Sequence, residues 1–145
     1  MKRPHWFRVT EKLLYDYKTL DPAIMALEAE LEADDLPSIT SVGNGIRGSG
    51  HSNPTERLGI SRAQRRGQIE RALATKRRAR DGMKLARATL TKEETQFVRL
   101  KYDLEKSNLQ TRLAMQDVVA AMSERTYFRF RQQVVEKIAK CLGLV

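Results

Sequence analysis

Apolar residues recur along most of this chain at spacings of three and four, the period of an amphipathic helix. Leu13, Leu14, Tyr17 and Leu20 fall on one side of a first helix predicted over about Phe7 to Leu20. It is expected to end before Asp21-Pro22, because a residue preceding proline avoids the helical region. Asp21 then caps a second helix with Pro22 at its first position, and Ile24, Leu27 and Leu31 follow up to the Asp34-Asp35-Leu36-Pro37 stop. Residues 37 to about 54 hold four of the eight glycines and two of the four prolines, which predicts a flexible loop.

A third helix is expected to open at Ser61, which forms a capping box with Gln64. Ile69, Ala72, Ala79, Met83, Ala86 and Leu90 recur along it, with Lys76 in the same register, and Gly67 and Gly82 weaken it. So narrow and alanine-rich a stripe suits close packing against a neighbouring helix. Thr91 and Glu94 make a second capping box ahead of Phe97, Val98 and Tyr102, and Asp103 to Ser107 reads as a turn. A helix from about Leu109 to Ala121 carries Leu113, Met115, Val118 and Val119. Ser123 caps the last helix, where Tyr127, Phe130, Val134, Ile138 and Leu142 form one core stripe before the stop at Gly143. The predicted fold is all-α: an N-terminal helical segment (residues 1–36), a Gly/Ser/Pro loop (37–60), a long basic middle helix (61–90) and a C-terminal three-helix unit (91–145).

Composition narrows the function classes. With 145 residues the chain has room for one modest domain or two small helical units. The longest apolar run, Val118 to Met122, is far short of a membrane span, and the N-terminus shows no secretory pattern, so a cytoplasmic protein of a bacterial host cell without membrane association is expected. One cysteine, Cys141, and two histidines, His5 and His51, offer no credible metal site, and no cofactor is expected. The formal charge of +9 favours a polyanionic partner such as nucleic acid. Residues 56–90 hold 11 basic and 3 acidic residues, against 6 and 8 in residues 1–55 and 10 and 7 in residues 91–145.

Several motifs have a dull explanation. Gly43-Asn44-Gly45-Ile46-Arg47-Gly48 fits the dinucleotide fingerprint, but Ser49 to Pro54 cannot start the helix that would receive a pyrophosphate. His51 sits among glycines and serines with nothing to fix its tautomer, and Asp34-Asp35 and Glu93-Glu94 sit at helix ends, where capping and the helix dipole are their expected roles. No enzyme is expected.

Two constellations point to nucleic acid. The run Lys76-Arg77-Arg78-Ala79-Arg80 offers Arg77, Arg78 and Arg80 as contacts to phosphate or to an acidic partner. In the C-terminal unit, Tyr127 and Phe130 take the core side of the last helix and leave Glu124, Arg125, Thr126, Phe128 and Arg129 open. A DNA-recognition helix needs this division. Arg can bind guanine bidentately, Thr or Phe can touch a thymine methyl, and Glu can accept from cytosine. Arg131 and Gln132 are expected to hold phosphates.

The block Ser123-Glu124-Arg125-Thr126-Tyr127-Phe128-Arg129-Phe130-Arg131, closing with Lys137 to Gly143, resembles the end of the ArpU/RinA family of phage transcriptional regulators. Val9 to Tyr17 is similar to that family's opening helix, and Phe97 to Tyr102 to its first domain helix. The resemblance implies a sigma region-four-like helix-turn-helix and activation of late phage or prophage genes. One departure is that the usual glycine of the turn is missing, with Ala121 nearest its place. Double-stranded DNA is the expected partner, with RNA polymerase and a second copy of the chain as further candidates. The alternatives are a phage terminase small subunit, also small, helical and DNA-binding, and a basic helical RNA-binding or scaffold protein.

Overall fold

The computed structural model describes residues 2–35, 54–119 and 121–145. All regular structure among them is helical: α1 (His5–Asp35), α2 (Pro54–Ala88), α3 (Lys92–Val98), a π-helical segment (Arg99–Asp103), α4 (Asn108–Met115) and α5 (Glu124–Cys141). The all-α expectation therefore holds. The glycine-rich stretch, His51 and residues 37–53 of the loop expected at 37–60 lie outside the described residues, and residues 54–60 of that loop are helical instead.

Three expected boundaries are corrected. The two front helices are one, since α1 runs on through Asp21 and Pro22. Pro22 removes a backbone N–H and would crowd the Lys18 carbonyl, but it is exposed, so water can serve that oxygen. The apolar register also continues across it, from Leu14 and Tyr17 to Ile24, Leu27 and Leu31. α2 starts at Pro54, not Ser61, with proline in the first-turn position that tolerates it, so Ser61 is an exposed interior residue and no cap. α4 ends at Met115 instead of Ala121, and Leu113 and Val118, expected in the core, are exposed.

The chain divides into two compact units, residues 1–21 with 78–145, and residues 22–77. The second unit buries Ile24, Ile69 and Leu73 and pairs Glu28 with Arg77 at 2.6 Å. The first holds the larger core, in which Phe7 and Leu14 of α1 and Met83 and Ala86 of α2 meet Phe97, Val98, Tyr102, Met115, Tyr127, Val134 and Ile138. Phe97 sits at its centre, edge-on to Tyr102, Tyr127 and Phe130 at 5.5–6.0 Å between centroids. Such contacts add about 0.5–1.5 kcal/mol each to the burial of the rings.

Local sequence explains the joints of the larger unit. Arg87, in the last turn of α2, makes a bidentate pair with Asp103 and stacks over the Tyr17 ring. Thr91 and Glu94 form the expected capping box of α3. In the π-helical segment Leu100, Lys101 and Tyr102 are buried in succession. Ser107 and Gln110 then cap α4 by a further capping box. Gly143, at φ +71°, closes α5 with bonds from its own N–H to the Lys140 carbonyl and from the Leu144 N–H to that of Ala139.

Candidate nucleic-acid interface

α5 is built to show one face. Ser123 precedes it in extended conformation and its Oγ accepts from the Thr126 N–H at 3.2 Å, while Glu124 suits the positive end of the helix dipole. Tyr127, Val134, Val135, Ile138 and Ala139 are buried, which fixes the helix by its apolar side. The opposite side presents Arg125, Phe128, Arg129 and Gln132 at spacings of three, one and three, a continuous exposed stripe. Phe128 keeps 38% of its surface open, a substantial cost for an aromatic ring facing water. Thr126 and Glu124 are also exposed, the Thr126 hydroxyl sharing a hydrogen bond with Ser123 at 2.8 Å.

Neither Arg125 nor Arg129 has an acidic partner among the described residues. Glu124 approaches Arg112 only at 4.0 Å. A shallow cleft lined by Asn108, Leu109, Arg112, Glu124, Tyr127 and Phe128 separates the start of α5 from the start of α4. Ahead of α5, Ala121 takes φ 60°, the left-handed conformation that favours glycine.

Arg131 departs from the expected phosphate role. Only 6% of it is exposed, and its Nε and terminal nitrogen both donate to Glu11 Oε1 of α1. The Tyr102 hydroxyl donates to the same oxygen at 2.8 Å, and Arg131 also reaches Asn108 Oδ1 at 3.3 Å, an oxygen that accepts from Tyr127 as well. Burial works against the Arg131 charge, but the hydrogen bond to Glu11 together with the electrostatic and hydrogen-bond contributions of Tyr102 and Glu11 outweighs it, and its pKa rises. Burial raises the Tyr102 pKa strongly, with the Glu11 carboxylate adding to it, and raises that of Tyr127. Lys101 donates to the Lys106 carbonyl at 3.2 Å, and burial, helped by the Arg131 charge, lowers its pKa. This network locks α5 onto α1, so Arg131 positions the helix and is no phosphate contact.

Sequence reasoning missed Glu11, Tyr102 and Asn108 as partners of the last helix. The available signal was the helical wheel: Arg131 falls four after Tyr127 and three before Val134, squarely on the core stripe.

The basic run of α2 is less available than its sequence suggests. Arg77 is paired with Glu28 at 2.6 Å, and Arg80 with Asp81 at 3.1 Å and Asp21 at 3.6 Å. The Asp81 hydrogen bond raises the Arg80 pKa. Arg78 is the member of the three that stays exposed with no ion pair among the described residues. Charge counted by compact unit gives 8 basic and 7 acidic residues, net +1, for residues 22–77, and 19 and 11, net +8, for the unit that carries α5.

Among the described residues no group of His, Cys, Asp and Glu could hold a metal ion, and no helix is long and apolar enough to cross a membrane. No known protein family, curated protein or solved structure matches the chain.

Proposed function

We propose that this chain is a sequence-specific duplex-DNA-binding protein in which α4 and α5 act as a helix-turn-helix and α5 is the recognition helix. The observation that carries the reading is the exposed stripe Arg125, Phe128, Arg129 and Gln132, whose two arginines have no acidic partner among the described residues, on a unit of net +8. A guanidinium left unpaired beside an open aromatic ring suits the major groove, where arginine meets guanine and an apolar group meets the thymine methyl. Ser123, Thr126 and the start of α4 suit the flanking phosphates, and Ala121 supplies the tight turn between the helices. The resemblance to ArpU/RinA regulators extends the reading to transcriptional control of phage or prophage late genes.

Selection of bound duplexes from a random pool tests this. Enrichment of a defined motif is expected, and its symmetry would report whether one or two copies bind. Recovery of random sequence alone would reject the sequence-specific reading, and preference for structured RNA at equal salt would transfer it to the RNA-binding alternative.

A further inference from the structure

The front of α1 carries its charge the wrong way round. Its first turn has no acidic residue, yet Lys2, Arg3 and Arg8 crowd the end where the helix dipole is positive and repels them. Glu11 is the one acid among the first 15 residues, and the buried network with Arg131 and Tyr102 already occupies it. Arg3 reaches Glu11 only at 3.7 Å and lies over the Phe7 ring. Lys2, Arg8 and Lys12 are exposed with no acidic partner among the described residues. Arg8 and Lys12 share one face with His5 and Val9 along a shallow cleft. Uncompensated charge of this kind is unfavourable in the free protein and becomes favourable beside a polyanion.

Its position relative to α5 is the second observation. A cleft of about 310 Å³ has Lys2 and Arg3 on one wall and Phe128, Arg131 and Gln132 of α5 on the other. Lys2 and Arg3 thus flank the stripe assigned to base contacts, and Arg8 and Lys12 extend this basic arm along α1 within the same compact unit. Trp6, the residue that would seek a lipid interface, is instead packed against the core, which favours nucleic acid over a membrane.

We infer that Lys2, Arg3, Arg8 and Lys12 form a basic clamp that holds the phosphate backbone of duplex DNA beside the groove occupied by α5. This rests on the proposed role of α5. The clamp fixes orientation and adds affinity without reading sequence, as phosphate contacts do.

The test compares the full chain with a Lys2→Gln/Arg8→Gln/Lys12→Gln variant for binding to a duplex over a salt series. A Lys84→Gln/Lys92→Gln/Lys140→Gln variant of equal net charge serves as control, its three sites lying on α2, on α3 and at the C-terminal end of α5, away from the front of α1. The arm variant should melt like the parent, since all three side chains are exposed. Its log-affinity against log-salt slope should shallow by about 2 to 3, at roughly 0.9 for each phosphate that is no longer neutralised, with sequence preference retained. An unchanged slope, or an equal change in the control, overturns the clamp and leaves the reading of α5 intact. Failure of the parent itself to bind duplex at low salt overturns both. Tighter binding of the parent to phosphatidylglycerol vesicles than to duplex, abolished in the arm variant, would make the arm a membrane contact and overturn the clamp.

Discussion

The two compact units hold their cations differently. Residues 22–77 look strongly basic along α2, yet they hold eight basic and seven acidic residues, a net charge of +1. The acidic second half of α1 belongs to this unit, and Glu28 pairs with Arg77. The other unit is basic in both its segments, with 5 basic and 3 acidic residues in 1–21 and 14 and 8 in 78–145, and sums to +8. Even there the use is selective: Arg131 and Arg87 are tied to Glu11 and Asp103, while Arg125 and Arg129 are left open. Charge density along a sequence is therefore a poor guide to a binding face, because ion pairing within the fold decides which cations remain for a partner.

The sharpest way to break this contrast is Glu11→Ala, which strands Arg131 as a buried charge. It should cost about 3–5 kcal/mol in denaturant unfolding, since an uncompensated ion in the core has no water to turn to. A loss below about 1 kcal/mol would mean that Arg131 is free to face solvent after all. The converse substitutions, Arg125→Ala and Arg129→Ala, should leave stability nearly untouched. Each should lose roughly 1–3 kcal/mol of binding on the preferred duplex and far less on random DNA. Equal losses on both would make them phosphate contacts.

The buried network also has a pH signature. Burial holds the Tyr102 pKa above the ordinary 10.0, so the folded state keeps a proton that the unfolded state releases. The stabilisation is complete below pH 10 and falls as the pH rises above it, by about 1.4 kcal/mol per pH unit once the unfolded phenol titrates. Tyrosinate absorbance should therefore appear together with unfolding. A phenol that ionises reversibly in the folded protein would show the network to be open. The smallest effect belongs to the turn before α5: Ala121→Gly should stabilise by about 0.5–1 kcal/mol, as relief of the left-handed backbone exceeds the added chain entropy. A lower melting temperature would contradict that geometry.

Much of the fold is legible in the sequence for local reasons. The Thr91 capping box, the Ser123 cap and the Gly143 stop depend on neighbours within four residues, and all three are found. The core stripe of α5 is likewise readable, although Phe130 and Leu142 are only half-buried and Val135 and Ala139 join it. The departures have tertiary causes. Pro22 and Ser61 carry genuine start signals, but the helical register runs past both. Arg131 resembles a surface cation in sequence because its partner, Glu11, lies 120 residues away, beyond any local pattern. Arg77 resembles a free one because Glu28 lies 49 residues away.

The contrast between the units is tested most directly by the salt dependence of duplex binding in two charge-matched variants. With about six phosphates neutralised, the parent slope should lie near −5. Arg125→Gln/Arg129→Gln, in the +8 unit, should shallow the slope by up to about 2 and relax sequence preference. Arg62→Gln/Arg65→Gln, in the near-neutral unit, should leave both unchanged. A parent slope near zero, or a loss confined to the Arg62 and Arg65 variant, would contradict the assignment of the DNA surface to α5.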